Sequence, residues 1–313
     1  MAPRIPRITI LKQPVRAIAL SLLTFWAARA DTIALHPSAD TSLFQDQPTN
    51  NLGGELTVPV GTTDGVNIPL ATNRGLFKFD IAANIPAQSI ITSVSLDVRV
   101  VQVPGVGRVD STFELHRVLR DWGEGNKKST NGVSKDGLPA TAGEATWVAR
   151  FSPGTFWSAP GAASPTDFTN ALSATTFIGG VGAYTFTNLV ADVQYWVNNP
   201  GANFGWLMRS QSEGTPLTNR RLGSREGGTN APTLTVQFIP PPHIDGAARN
   251  GGNFTFSFLA QTGFPYTVEF RDSFSGGTWQ SLTSFTAQAV LTNWFVTNSI
   301  GSNTQKFFRV KTP

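Results

Sequence analysis

Between Ser93 and Val101 the chain reads SVSLDVRVV, with Val94, Leu96, Val98 and Val100 at every second position and Ser95, Asp97 and Arg99 between them. A period of two sends the apolar side chains to one face of an extended strand and the polar ones to the other, so this stretch predicts a half-buried antiparallel strand. The runs GLFKFDI (75–81), FELHRVL (113–119), GWLMRS (205–210) and TLTVQF (233–238) have the same Val, Phe and Thr-rich character between Gly, Pro, Asn and Ser. Short strands joined by long polar loops predict an all-β chain, a jelly-roll-like β-sandwich. An α/β fold would need repeated amphipathic helices.

One segment follows a different period. In residues 188–198 the apolar Leu189, Val193, Trp196 and Val197 recur at helical spacing, with Asn188 placed to cap the start and Asn199-Pro200-Gly201 to stop the end. This predicts a short helix closing one end of the sandwich, with Trp196 in the core. The consecutive prolines 240–242 cannot continue a central strand and favour an extended linker. They divide residues 31–239 from 243–313. In the second piece Phe254, Phe256 and Phe258 alternate in NFTFSFL, and YTVEF, TWQSL, NWFVT and KFFRV follow. That predicts a smaller immunoglobulin- or fibronectin-like sandwich, a type of module that connects, spaces or adheres.

Residues 1–30 stand outside this pattern. Arg4, Arg7, Lys12 and Arg16 precede the apolar run AIALSLLTFWAA (17–28), and Ala28-Arg29-Ala30 follows the small-x-small pattern of a secretory cleavage site. The run is shorter than the roughly 20 residues that span a bilayer. The expectation is a signal peptide and a secreted, soluble mature chain with no membrane insertion. The formal charge of +4 is misleading, because these thirty residues hold five of the 24 Lys and Arg and none of the 20 Asp and Glu. What remains is 19 basic against 20 acidic residues, a balance of −1 that argues against a nucleic-acid partner. The absence of cysteine removes disulfides and thiolate metal sites, so stability must come from packing.

The order and spacing of several stretches carry a family likeness. They are ADTSLF (39–44), Asn51-Leu-Gly53, FKFDI (77–81) with IPAQSIITSVSL (85–96), RDWGEG (120–125), TWVARFSPGTFWSAPG (146–161), LVADVQYWVNNPGANFGWLM (189–208) and SREGGTNAPTLTVQF (224–238). Through them residues 31–239 resemble the DNRLRE domain, a secreted bacterial β-sandwich related to carbohydrate-binding module family 96. The naming string itself is replaced by NRRLGSRE, so no residue role carries over letter by letter. The resemblance implies a non-catalytic jelly roll, with polysaccharide binding in some relatives and a structural role in others. Residues 243–313 look like the fibronectin-like modules that follow such domains.

Catalytic machinery is hard to assemble from the residues. His36, His116 and His243 are isolated, no HExxH spacing exists, and in Gly223-Ser224-Arg225-Glu226-Gly227 the serine directly follows the glycine, so it is not G-x-S-x-G. Asp121 and Glu124 are three residues apart in a glycine-bounded loop, where a turn or a cation-binding role is more natural than a glycosidase pair. Sugar binding asks less: aromatic faces for pyranose rings and planar hydrogen-bonding groups. Trp122 and Trp157, in Gly/Pro/Ser-rich loops, are the aromatic candidates, while Trp147 and Trp206 lie in strand-like runs and suit the core.

The stretch TNRRLGSREGG (218–228) concentrates charge on a chain that is 14% charged. Arg220 and Arg221 are placed further from the last strand and read as ligand-binding residues that suit an acidic polysaccharide. Arg225 and Glu226, next to that strand, read as a structural clamp. Near the start of the domain Asp40, Asp46, Asn50, Asn51 and Glu55 gather side-chain oxygens, and two readings stay open there: a structural calcium ion, with Asp40, Asp46 and Asn50 as its ligands, or an Asx-rich loop making its own turns. No other cofactor is expected. The sequence thus predicts a non-enzymatic secreted protein recognising an extracellular polysaccharide, with a structural or adhesive surface protein as the alternative.

Overall fold

The computed structural model describes residues 31–66, 69–129, 137–288, 292–301 and 305–312. The predicted signal peptide lies outside the described residues. The chain is an all-β protein built of two sandwiches.

The first is one eleven-stranded sheet that curls on itself. Its path runs Asp31–Leu35, Thr233–Ile239, Ile90–Gln102, Arg220–Gly223, Thr57–Thr62, Thr72–Lys78, Trp206–Ser210, Ser111–Arg117 and Ala174–Ile178, with Gly182–Phe186 paired to Ile90–Gln102 and Ala39–Phe44 paired to Thr72–Lys78. The pairs are antiparallel, so consecutive residues face opposite sides and one face can be wholly apolar. Val94, Leu96, Val98 and Val100 turn inward, as their spacing predicts, and meet Val58, Val60, Phe77, Phe113, Leu115, Met208 and Leu222 in a single core. Burying these side chains is the main force closing the sheet.

The helix Val190–Asn198 plugs this core with Val193, Trp196 and Val197. Its start differs from expectation. Leu189 is the capping residue and makes no side-chain cap bond, while Asn188 sits at φ 66°, a left-handed turn that asparagine tolerates. At the other end the backbone N–H of Asn199 donates to Tyr195 O, and Pro200 opens the short turn Pro200–Ala202.

A second apolar cluster lies on the opposite face of the same strands. Leu76 and Leu207, the sequence neighbours of the inward Phe77 and Met208, point away from the first core and pack with Leu43, Val118, Trp122, Trp147, Trp157 and Phe168. The long segment after Arg117 is therefore an extra layer. Residues 243–312 form the second, smaller sandwich from two three-stranded sheets, Ile244–Asn250, Asn253–Ala260, Thr292–Ser299 and Gln280–Thr286, Pro265–Arg271, Phe307–Lys311. Its separate core holds Phe256, Phe258, Tyr266, Val268 and Val296, and half-buried Phe254 stacks on Phe308 at 5.1 Å between ring centroids. Among the described residues no helix is long and apolar enough to cross a membrane.

Candidate functional site

The arginine-rich stretch is not the loop that its composition suggested. Arg220–Gly223 is a strand paired on both sides, with Thr57–Thr62 and Ile90–Gln102. Four residues with two charges are too few and too polar to show a period of two, so the strand was invisible to patterning. Alternation then separates the neighbours: Arg220 turns inward with Leu222, and Arg221 turns outward. Arg220 is fully buried. Its Nε donates to Gly179 O at 2.7 Å, Nη1 to Thr218 O and Asn219 O at 3.0 Å each, and Nη2 to Val109 O at 2.8 Å and the Asp110 carboxylate at 3.0 Å. Burial pushes its pKa down from the ordinary arginine value, and the partly exposed Asp110, held below the usual carboxylate range by the Arg108 guanidinium, supplies the counter-charge. Arg220 is a structural pin between loops, and its expected place in a ligand site is corrected accordingly.

Arg225 and Glu226 open a short turn after that strand. The Arg225 guanidinium bridges Glu124 at 2.8 Å and Glu226 at 2.9 Å, and its backbone N–H donates to Asp40 Oδ2 at 2.7 Å. Glu124 in turn accepts from the backbone N–H of Asp40 at 2.9 Å. The expected clamp thus has a wider reach than its own loop. Asn51 completes it by donating to Glu124 O at 2.7 Å and Ala145 O at 2.9 Å and accepting from Gly53 N at 2.9 Å. Gly53 must be glycine here, because a Cβ would stand 2.1 Å from Glu124 O. ADTSLF, Asn51-Leu-Gly53, RDWGEG and SREGG, far apart along the chain, meet in this one cluster.

One of the two open readings placed calcium on Asp40, Asp46 and Asn50. Asp40 instead meets Glu124 and Glu226, and Asp46 is not part of that group. Asn50 belongs to the short strand Asn50–Asn51 that pairs with Leu138–Pro139. The Arg225 cation already answers two of the three carboxylates. Burial raises the Asp40 carboxyl well above its ordinary value, and burial likewise raises Glu124.

Both tryptophan candidates are interior. Trp122 and Trp157 are each 4% exposed, and their indole N–H groups donate to Phe204 O and Thr146 O at 2.9 Å. They pin the extra layer to the sheet, so neither offers a face to a sugar ring. Trp147 and Trp206 are buried as expected, although Trp147 lies in a bend and not in a strand. The two carboxylates of RDWGEG serve different ion pairs, Asp121 with Lys78 and Glu124 with Arg225. His36 contacts Pro232 O, His116 is buried between Glu114 and Thr169 O, and His243 is exposed beside Asp245.

A groove of about 520 Å³ opens where the loops after Thr57–Thr62 and Ile90–Gln102 meet the loop before Arg220–Gly223. Arg221, Gln102, Asn219, Asn73, Thr63 and Asp64 supply its polar groups. Val66, Val103, Pro104, Val106, Leu217 and Pro59 supply aliphatic walls, and Val66 and Val106 are each 87% exposed. Arg221 Nη1 donates to Gln102 Oε1 at 3.1 Å. Asn73 is only 3% exposed, yet its Oδ1 has no hydrogen-bond partner. A buried unpaired amide oxygen costs about 1–3 kcal/mol. Of the predicted ligand residues, Arg221 alone lines this groove. Asn73 and Gln102 escaped the sequence reading because they sit at strand ends that only the curled sheet brings together.

No protein-family model matches the chain, and no curated protein matches it. Among solved structures it overlays on a β-1,2-glucanase from Parabacteroides distasonis with a TM-score of 0.21 and 9% identity, covering 87% of this chain and 34% of that one. It overlays on the glycoside hydrolase domain of Spr0440, Endo-D, from Streptococcus pneumoniae R6 with a TM-score of 0.19 and 11% identity, covering 91% and 37%. The chain spans about a third of the length of each. Scores this low transfer neither a fold nor an activity.

Proposed function

We propose that this chain is a secreted, non-catalytic carbohydrate-binding protein of the DNRLRE type, and that the groove beside Arg221 receives an extracellular polysaccharide. The observation that carries the reading is a groove of about 520 Å³ that presents a guanidinium and three carboxamides among aliphatic walls. Hydrogen-bonding groups of this planar kind, set among apolar walls, suit a polyhydroxylated ligand. The groove also holds Asp64, so the acidic preference rests on Arg221 without the help of Arg220. A glycan-array screen of the full chain, with and without chelator, tests the reading and the calcium expectation together. The expected result is a glycan signal that falls at least ten-fold in Arg221→Ala. A chain that retains no glycan across a broad array is not a carbohydrate-binding protein.

The structural or adhesive reading has its own support. The motif residues that carry the family likeness converge on the Asp40, Asn51, Glu124 and Arg225 cluster, and none of these four lines the groove. A role confined to fold maintenance would leave that cluster essential and the groove indifferent to substitution.

A further inference from the structure

We infer that the strand Thr292–Ser299 is a self-association edge, at which a second copy of this chain pairs antiparallel about a two-fold axis. The edge belongs to the second sandwich and is independent of the groove in the first. In the sheet order this strand stands at one end, and among the described residues no strand pairs with its outer side. A free edge presents backbone N–H and C=O groups ready to pair with another strand, and proteins ordinarily block it with charges, proline or a bulge.

The other end strands of the two small sheets carry such a block. Ile244–Asn250 holds Asp245 and Arg249 and loses register between Asp245 and Ala248. Phe307–Lys311 holds Arg309 and Lys311. Gln280–Thr286 is uncharged, but its register shifts opposite Val268 and Glu269. Thr292–Ser299 has none of these features. Its sequence TNWFVTNS contains no charge and no proline, and it runs opposite Asn253–Ala260 for eight residues without a shift. Val296 turns into the core, and Trp294 stacks on Phe285 of the other sheet at 3.7 Å between ring centroids. Asn293, Phe295 and Thr297 accordingly share the outer face with Leu259 of the neighbouring strand, where Phe295 is 77% exposed and Leu259, diagonal to it, 42%.

A second copy suits this edge because the edge is uncharged and can face itself. Directly opposed residues of an antiparallel pair share a face, so a two-fold axis through Phe295 sets that ring against its own mate and Asn293 against Thr297 of the other copy. The two rings gain apolar contact with each other. No charge repels its counterpart across the seam, and the balance of −1 over residues 31–313 opposes the approach little. A seam of eight residues is roughly 27 Å long and about 10 Å deep, well under the ~800 Å² per partner of a standard interface. The dimer is therefore a weak one that forms at high protein concentration.

The test is sedimentation velocity of residues 31–313, the chain without its proposed signal peptide, from about 1 µM to about 1 mM, a range that covers weak association. Two double variants accompany it. Asn293→Lys with Thr297→Lys sets lysine against lysine twice across the axis, and Asn293→Lys with Thr297→Glu sets lysine against glutamate twice. Both positions are exposed, so the two variants keep the fold. The expected result is a monomer–dimer equilibrium in the wild type, weakened on the order of ten-fold by the lysine pair and kept within about three-fold by the lysine–glutamate pair. Phe295→Lys, a single change at the axis, should dissociate the dimer as well. A chain that stays monomeric across the range, that assembles beyond dimers, whose two double variants dissociate alike, or whose dimer survives Phe295→Lys overturns the edge pairing.

Discussion

Adjacent arginines with opposite fates show how much a single residue's orientation decides. Arg220, fully buried, satisfies its donors on backbone carbonyls and Asp110, so removing it leaves those carbonyls unpaired and a hole behind. Arg220→Ala is expected to cost about 3–5 kcal/mol, whereas Arg221→Ala should change stability by less than about 0.5 kcal/mol. Urea unfolding of both variants checks this contrast. Arg225 is 40% exposed on its side chain, and its pairs with Glu124 and Glu226 are partly screened, so Arg225→Ala should cost only about 1 kcal/mol. Asp40 gives a pH signature. Burial raises its folded pKa, so between the unfolded value of about 3.9 and that raised value the native state keeps a proton that the unfolded chain has lost. The associated stability is complete below the unfolded value and disappears as pH rises through the folded one. Asp40→Asn keeps an acceptor for Arg225 N–H and loses the titration. Its Tm should fall less than that of the wild type between pH 4 and pH 8, and parallel Tm profiles would show that Asp40 titrates normally.

At the scale of elements, the strands are held by alternation and the long segment 118–168 by anchors. Trp122, Trp157 and Phe168 enter the second cluster and tie that segment to Leu43, Leu76 and Leu207 on the sheet. Gly123 lets the same segment approach itself, since a Cβ there would stand 1.7 Å from Gly143 O. Trp157→Ala should therefore destabilise by about 3–5 kcal/mol. Hydrogen exchange should quicken first across 143–168, while the strand Ile90–Gln102 keeps its protection. Glycan binding at subdenaturing temperature should persist in this variant, because Trp157 does not line the groove. Loss of binding with an intact fold would place Trp157 in the site after all.

Among the described residues the apolar clusters fall in two sets, one within 31–239 and one within 244–310. Residues 240–243 between them have no regular secondary structure. Each set is large enough to define a core, so the two pieces are expected to fold independently. Limited proteolysis should cut near Pro240–His243 and leave a stable larger fragment. Separately expressed 31–239 and 243–313 should each unfold cooperatively. If either is unfolded alone, the sandwiches depend on each other and the boundary has to move.

Fold class, the inward face of SVSLDVRVV and the core residues of the helix were all legible in the sequence, because each is written in local periodicity. The helix cap was not, since Asn188 could serve either as a cap or in a left-handed turn and the packing of Leu189 decided it. The site was legible only in part. Arg221 was visible as a charge, but the sequence could not separate it from Arg220, because the strand containing both is too short to show its alternation. Trp122 and Trp157 have the loop context of binding residues, and only the second apolar face of the sheet made them core. Asn73 and Gln102 carry no local signal. Their partnership with Arg221 arises from the order in which the strands Thr72–Lys78, Thr57–Thr62, Arg220–Gly223 and Ile90–Gln102 lie side by side, a long-range pairing that local sequence does not encode.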